Sequence, residues 1–181
     1  MEHIVVAVRP GQGPGVITWA LRHARACRGA LEIIASGLEW ADPHVVLRGV
    51  GYQLLAAGSD VPVAMRTVAP GMADALAQAR ARSAGQPTGG VDLIVLGSRS
   101  GRLDRTEAVA LIAIAAASAC PVVIVPADWR AESNDEAAII TEALAAAGVS
   151  EEFVERVCAG TAPVRIVPTS FADETRRAVS A

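Results

Sequence analysis

The chain has 181 residues, of which 52% are hydrophobic, 19% charged and 3% aromatic, and its formal net charge is −3. At roughly 100–200 residues per domain, this length predicts one domain, or one domain with an appendage, and the apolar content excludes a disordered chain. The acidic balance and the few aromatic rings argue against a nucleic-acid or membrane-surface partner, because such partners attract basic patches and stacking rings. All sixteen basic residues are arginines, which excludes a mechanism that needs a Schiff-base or phosphate-binding lysine.

Short apolar runs alternate with helix-like segments along the first two thirds of the chain. In chain order, the predicted elements are a strand over Ile4–Val8, a helix over Val16–Arg28, a strand over Leu31–Ala35, a helix over His44–Ala56, a strand over Val61–Val68, a helix over Met72–Ser83, a strand over Val91–Leu96, a helix over Glu107–Ala119 and a strand over Val122–Val125. Strict alternation predicts an α/β fold, an open and mostly parallel sheet with helices on both faces.

The composition changes after Pro126, where a charged linker begins. We therefore expect an α/β domain over residues 1–126 and a C-terminal helix-helix-strand extension over residues 127–181. The elements predicted for the extension are a helix over Asp135–Ala147, a second helix capped by Ser150 and reaching about Cys158, and a strand over Val164–Val167.

An uncharged run extends from Ala108 to Ala127 and is long enough to cross a bilayer. Pro121 interrupts it, and the sequence changes there from alanine-rich to β-branched. We therefore favour a buried helix, a turn and a buried strand over a transmembrane helix.

Cysteine and histidine usage points to a reduced protein without a metal. The three cysteines lie far apart with no CxxC spacing, which is typical of free thiols in the cytosol, and the N-terminus lacks the pattern of a signal peptide. We identify no ligand spacing of the histidines with one another or with cysteine, so no metal site is expected. These residues are Cys27, Cys120 and Cys158, and His3, His23 and His44.

Two loops follow the first and the fourth predicted strands, namely Arg9–Gly15 and Gly97–Thr106. Both are rich in glycine or serine, so their main-chain N–H groups could face an anion at the carboxyl edge of the sheet, where ligands of such folds bind. The first loop departs from a dinucleotide fingerprint, because Gly11 and Gly13 are followed by Val16 where a third glycine is needed.

The segment Val91–Gly101, followed by a helix and then by Ala119–Val125, resembles the universal stress protein family. Ile4–Val8 and the helix after it are similar to that family's first strand and helix, and the resemblance covers about residues 3–126. It implies a five-stranded parallel sheet of order 3-2-1-4-5 and dimers that often form through the last strand. Some members of the family bind ATP.

The ATP-binding members carry Gly-x-x-Gly, nine residues and then Gly-Ser/Thr, and an acidic residue ends their first strand. Here Gly97 keeps the first glycine, Ser100 replaces the second, Ala110 and Leu111 occupy the last pair, and Arg9 replaces the acid. Leu111 supplies no hydroxyl to a phosphate, a loss of about 1.5–3 kcal/mol. The sequence therefore predicts that this chain does not bind ATP in the family manner.

A vestigial nucleotide or anion site remains the candidate at this edge. Arg9 could pair with a phosphate, as could neighbouring loop arginines, or these arginines form a solvated face. No catalytic residue is assigned, because Gly-x-Ser-x-Gly is absent and adjacent carboxylates lie at helix starts, where the helix dipole accounts for them. The candidate site residues are Arg9, Gly97, Ser98, Arg99, Ser100 and Gly101, with Arg102 and Arg105 as the neighbouring arginines.

The fifth strand would be a bare edge, and a bare edge invites pairing with another chain. We expect Val164–Val167 to lie parallel beside Val122–Val125, either within the same chain or exchanged with a partner. Pairing within the chain would move any dimer to another surface, and exchange would make the dimer depend on the residues after Pro126.

These observations favour a noncatalytic protein of the universal stress type, with a stress-related or regulatory role. We expect it to be a cytoplasmic homodimer that requires no cofactor. A further protein partner is left open. The alternative is an ATP-binding module or weak phosphohydrolase that uses the loops over residues 9–15 and 97–106.

Overall fold

A computed structural model describes residues 1–36, 42–58, 60–68, 90–99, 104–118, 120–127, 129–130, 140–144, 150–159 and 163–168. The strands within these ranges are β1 (His3–Val8), β2 (Ala30–Ser36), β3 (Val63–Val68), β4 (Leu93–Gly97), β5 (Val122–Val125), β6 (Ile140–Leu144) and β7 (Val164–Pro168). The helices are α1 (Gly15–Cys27), α2 (Pro43–Ala56), α3 (Arg105–Ala117) and α4 (Glu151–Ala159).

The strands form one sheet of order β3-β2-β1-β4-β5-β7-β6, in which β1 to β5 are parallel. The predicted α/β class and the order 3-2-1-4-5 are therefore confirmed. The central strand β1 is buried on both faces, as a continuous apolar run predicts. Ile4, Val6 and Val8 pack with α1 and α2, whereas Val5 and Ala7 pack with α3 and α4.

The uncharged run is a buried helix followed by a buried strand, as we favoured from the sequence. α3 carries the alanine-rich part, with Ala108, Leu111 and Ala115 in the core, and β5 carries the β-branched part. Among the helices that the structure describes, none has the length and apolar character needed to cross a membrane.

The extension contradicts the predicted helix over Asp135–Ala147, since residues 140–144 form strand β6. β6 pairs in parallel with β7, from Ile140 opposite Val164 to Leu144 opposite Pro168. The alanine and glutamate content favoured a helix, but pairing with a neighbouring strand overrides such a weak local preference. The second predicted helix is confirmed as α4, where the Phe153 amide donates to the hydroxyl of Ser150 over 3.2 Å.

The predicted parallel pairing of β7 with β5 is also wrong. The two strands are antiparallel, with Val122 opposite Ile166 and Ile124 opposite Val164. The prediction assumed a single helical crossover between them. The chain instead places β6 first, so the parallel crossover through α4 joins β6 to β7.

The described strands form one continuous sheet, and the division of the chain at Pro126 stays a prediction. So does exchange of the last strand between two chains. The helix predicted over Met72–Ser83 lies outside the described residues.

Replacing Ile166 with alanine tests whether β7 is part of the core. The side chain is fully buried among residues of β5, α3 and α4. We expect Ile166→Ala to lower the free energy of unfolding by about 2–5 kcal/mol, because the substitution removes buried methylene groups and leaves a cavity. Urea unfolding followed by circular dichroism measures the loss. Val109→Ala on the exposed side of α3 is the control, and equal, small effects in both variants would contradict the packing of β7.

Candidate functional site at the carboxyl edge of the sheet

Arg9 follows β1 and joins three elements at the carboxyl edge of the sheet. Its Nη2 donates to the carbonyl oxygen of Gly97, at the end of β4, over 3.0 Å. The same nitrogen lies 2.9 Å from Oε1 of Glu107 in the first turn of α3. Burial lowers the pKa of Arg9, and the nearby Glu107 carboxylate opposes that effect. The arginine that replaces the family's acidic residue is thus a cation paired inside its own fold.

The N-terminus of α3 is organised around the Glu107 carboxylate. Asp104 caps the helix by accepting from the Glu107 amide over 2.8 Å. Oε1 of Glu107 also accepts from the main-chain amide of Arg99 over 3.0 Å. A guanidinium and a main-chain N–H near a helix N-terminus are groups that bind phosphate in other proteins. Here they hold an internal carboxylate.

Close packing between the first loop and β4 depends on the absence of a side chain at Gly97. A Cβ added to Gly97 would lie 1.7 Å from Nε2 of Gln12, so only glycine admits that side chain. Oε1 of Gln12 accepts from the amide of Arg9 over 2.9 Å. Gln12 therefore fills the space between the two loops that the sequence singled out as candidates.

The segment that follows β5 covers the start of α1. A Cβ added to Gly13 would lie 2.2 Å from the carbonyl oxygen of Ala127, and one added to Gly15 would lie 2.8 Å from that of Pro126. The fully buried Ser98 fixes this segment, since its hydroxyl accepts from the Ala127 amide over 2.8 Å. Main-chain carbonyls thus pack against the glycine-rich loop, where an anion-binding turn would be open.

A cleft of about 500 Å³ lies beside this closed edge, between the first loop and α2. Its walls are mostly apolar, with Val8 and Ile17 on one side and Val46 and Val50 on the other. Several polar side-chain atoms are buried without a hydrogen-bond partner among the described residues, and two of them belong to residues that line the cleft. These two atoms are Nε2 of Gln12 and Oε1 of Gln53.

The structure brings four of the six candidate residues together: Arg9, Gly97, Ser98 and Arg99. Ser100 and Gly101 lie outside the described residues, as does Arg102. Arg105 points elsewhere and pairs with Glu151 of α4 over 2.5 Å.

The two remaining motif positions lie in the second turn of α3, where Ala110 is exposed and Leu111 packs in the core. The sequence analysis placed Glu107 only at the start of a predicted helix and missed its contact with Arg9. The pattern Asp104-x-x-Glu107, similar to a capping box, was the available signal.

The sequence-based prediction that no histidine has ligand spacing with a cysteine is wrong. His23 and Cys27 are four residues apart on α1, and their side chains lie with that of Glu2 at the amino edge of the sheet. Residues four apart share one face of a helix, so this spacing could have been recognised from the sequence.

No protein-family model matches the sequence, and a search of curated proteins finds no match. Among solved structures, the fold is similar to that of a universal stress protein crystallised in complex with cAMP. The two are 22% identical with a TM-score of 0.55, and the match covers 70% of this chain and 98% of that one. The chain has the fold of a universal stress protein. The resemblance seen in the sequence is confirmed at the level of the fold.

A protein of the universal stress family from Burkholderia pseudomallei also matches. It is 19% identical with a TM-score of 0.41, and the match covers 69% of this chain and 96% of that one.

Replacing Glu107 with glutamine tests the internal ion pair. The side chains of Arg9 and Glu107 are only 17% and 10% exposed, so the variant leaves a mostly buried guanidinium without its counter-charge. We expect Glu107→Gln to lower the free energy of unfolding by about 1–3 kcal/mol, measured by urea unfolding. The control Glu151→Gln breaks an ion pair whose side chains are 63% and 70% exposed, and it should leave the unfolding midpoint unchanged. Equal midpoints for both variants would contradict the role given to Glu107.

Proposed function

We propose that this chain is a noncatalytic member of the universal stress protein family, with a stress-related or regulatory role. Its anion position is occupied by its own Glu107 carboxylate, so the protein does not bind ATP in the manner of the family's ATP-binding members. The observation that carries this proposal is the single oxygen of Glu107 that accepts from both Arg9 and the Arg99 amide.

Electrostatics explains why that carboxylate opposes a triphosphate. Two like charges about 4 Å apart repel by about 4 kcal/mol near a protein surface, which corresponds to about a thousandfold in affinity. A phosphate that used Arg9 and the Arg99 amide would have to displace Glu107 or accept this repulsion. The Arg9 guanidinium is therefore already committed to an internal partner.

The same pairing supports a noncatalytic role. A general base needs a carboxylate or imidazole within reach of substrate and free to accept a proton. At the described part of this edge, the Glu107 carboxylate is held by two donors and the Ser98 hydroxyl holds the segment after β5.

Calorimetric titration with Mg-ATP tests this function. We expect the wild-type protein to show no binding with a dissociation constant in the micromolar range. Glu107→Gln removes the negative charge beside Arg9 and the Arg99 amide, so the variant should gain affinity for ATP, by up to about a thousandfold if the full repulsion is removed. Glu151→Gln should behave as the wild type does. Micromolar binding of ATP by the wild-type protein would overturn the proposal.

A second candidate is a binding module for a nucleoside or cyclic nucleotide, and the cleft between the first loop and α2 favours it. The similar universal stress protein was crystallised with cAMP, a ligand with one phosphate and no triphosphate tail. The cleft lies beside Arg9 and has apolar walls with unpartnered amide atoms of Gln12 and Gln53, which suits a planar base. Binding in this cleft does not require the ion pair between Arg9 and Glu107 to break.

Filling the cleft tests the second candidate. Gly49 lines the cleft, and neither Gly49 nor Gly51 has an atom within 4 Å of an added Cβ. If the wild-type protein binds cAMP or adenosine, Gly49→Leu should weaken that binding at least about tenfold by occupying the space. Gly51→Leu, in the same helix and outside the cleft lining, should leave the affinity unchanged. Calorimetry of both variants measures the difference, and absence of binding by the wild type removes this candidate.

We also propose that the protein is a cytoplasmic homodimer. The strand order supports a dimer surface other than β5, because β7 lies beside β5 and β6 forms the outer edge of the sheet. Unpaired edges of this kind are the usual route by which sheets of two chains join.

A further inference from the structure

Three metal-ligating side chains meet at the amino edge of the sheet, at the end opposite the closed site. They are Glu2, just before β1, and His23 and Cys27, near the end of α1. Their ligand atoms all lie within 4.8 Å of one another, and Oε1 of Glu2 is 3.3 Å from Nε2 of His23. All three residues are partly buried, so the group is neither a solvated charge cluster nor part of the core.

Surrounding contacts hold two of the three ligands in place. The carbonyl oxygen of Glu2 accepts from the amide of Ala30 over 2.8 Å, which ties Glu2 to the start of β2. The ring of His23 stacks on that of Trp19, with ring centroids 5.0 Å apart and an interplanar angle of 9°. Trp19 is itself buried, so the stacking limits the orientations open to the imidazole.

The chain also leaves room for the thiol. A Cβ added to Gly29 would lie 3.0 Å from Sγ of Cys27 and 2.9 Å from the carbonyl oxygen of Glu2. A larger residue there would press on two members of the cluster. Arg28, with φ of 54°, turns the chain from α1 back to this point, and the Gly29 amide then donates to the carbonyl of Ala24.

We propose that Glu2, His23 and Cys27 form a binding site for Zn²⁺, with water as the fourth ligand. Bond lengths of about 2.0–2.2 Å to nitrogen and oxygen at a tetrahedral angle place those two atoms about 3.3–3.5 Å apart. The observed oxygen–nitrogen separation of 3.3 Å lies at the lower end of that range. The sulfur of Cys27 lies within 4.8 Å of both atoms.

The donor set selects the class of metal. A thiolate and an imidazole favour Zn²⁺ and related ions, whereas Mg²⁺ and Ca²⁺ require oxygen ligands. The side chains of Glu2 and His23 are 29% and 28% exposed, so solvent reaches the site and supplies the fourth ligand. The ion would therefore exchange with the medium rather than stay locked in the fold.

Binding breaks the S–H bond of Cys27 and forms a zinc–sulfur bond, and the proton passes to solvent. Each zinc bound should release about one proton from the thiol. No oxidant or reductant takes part.

The test uses the full chain without a polyhistidine tag, in a Cys158→Ser background that removes a second partly exposed thiol. Titration with Co²⁺ should give one equivalent with the intense visible bands of tetrahedral cobalt and a thiolate-to-cobalt charge-transfer band. Zn²⁺ should displace it stoichiometrically, with a dissociation constant at or below about 1 μM.

Ligand variants complete the test. Cys27→Ser should abolish the charge-transfer band. His23→Gln and Glu2→Gln should each weaken Zn²⁺ binding more than about 10–100-fold, the loss expected when only a residue hydrogen-bonded to a metal ligand is removed. His44→Gln, at an exposed histidine outside the cluster, is the matched control and should bind as the parent does. Circular dichroism confirms folding, and the Glu2→Gln variant keeps the test valid if Cys27→Ser misfolds.

Three results would overturn the proposal: no Co²⁺ spectrum in the parent, a spectrum without thiolate character, or Zn²⁺ affinity unchanged by Glu2→Gln and His23→Gln. The site lies at the opposite edge of the sheet from Glu107 and the cleft, so these results are independent of the titrations with ATP and cAMP.

Discussion

The carboxyl edge of this fold depends on one constraint, the need of a largely buried guanidinium for a counter-charge. Arg9 lies where β1 ends, in the crowded centre of the sheet, and an unpaired cation there would be strongly destabilising. Glu107 supplies the charge from α3, and the carbonyl of Gly97 supplies a second acceptor from β4. One side chain thus sets the relative positions of two central strands and a covering helix.

Closure of this edge is continuous with the extension of the chain. Ser98 uses its hydroxyl to hold the amide of Ala127, the point where the chain leaves β5 toward β6. The same segment packs against Gly13 and Gly15, so the course of this segment and the closed conformation of the first loop depend on each other. β7 then pairs beside β5. The closed first loop and the course of the chain after β5 therefore depend on the same packed segment.

The sequence predicted those parts that burial alone determines. β1, β4 and β5 are continuous apolar runs, and their parallel order follows from alternation with helices. β6 escaped prediction because Ala143 and Leu144 favour a helix in isolation, and only the neighbouring strand makes a strand preferable. The reversed direction of β7 followed from the same omission.

At the candidate site, sequence reasoning found Arg9 and Gly97 but not what they contact. Glu107 lies 98 residues away from Arg9, and a pairing at that separation is visible only once β1, β4 and α3 are assembled. The closeness of Glu2 to His23 depends in the same way on β1 running beside α1. Only the four-residue spacing of His23 and Cys27 was visible in the sequence itself. Because the segment was predicted to be helical, this spacing places both residues on one face of the helix.

The two edges of the sheet therefore differ in how far their polar groups satisfy one another. At the carboxyl edge, the Glu107 oxygen is shared by two donors and the Ser98 hydroxyl holds a backbone amide, so a ligand must first break an internal contact. At the amino edge, the ligand atoms of Glu2, His23 and Cys27 lie within 4.8 Å of one another, and all three residues stay partly exposed. A metal ion there would replace hydrogen bonds, such as the one between Glu2 and His23, with coordinate bonds. Binding of a metal ion at the amino edge therefore breaks fewer internal contacts than binding of a phosphate at the carboxyl edge, where ligands of parallel sheets are usually found.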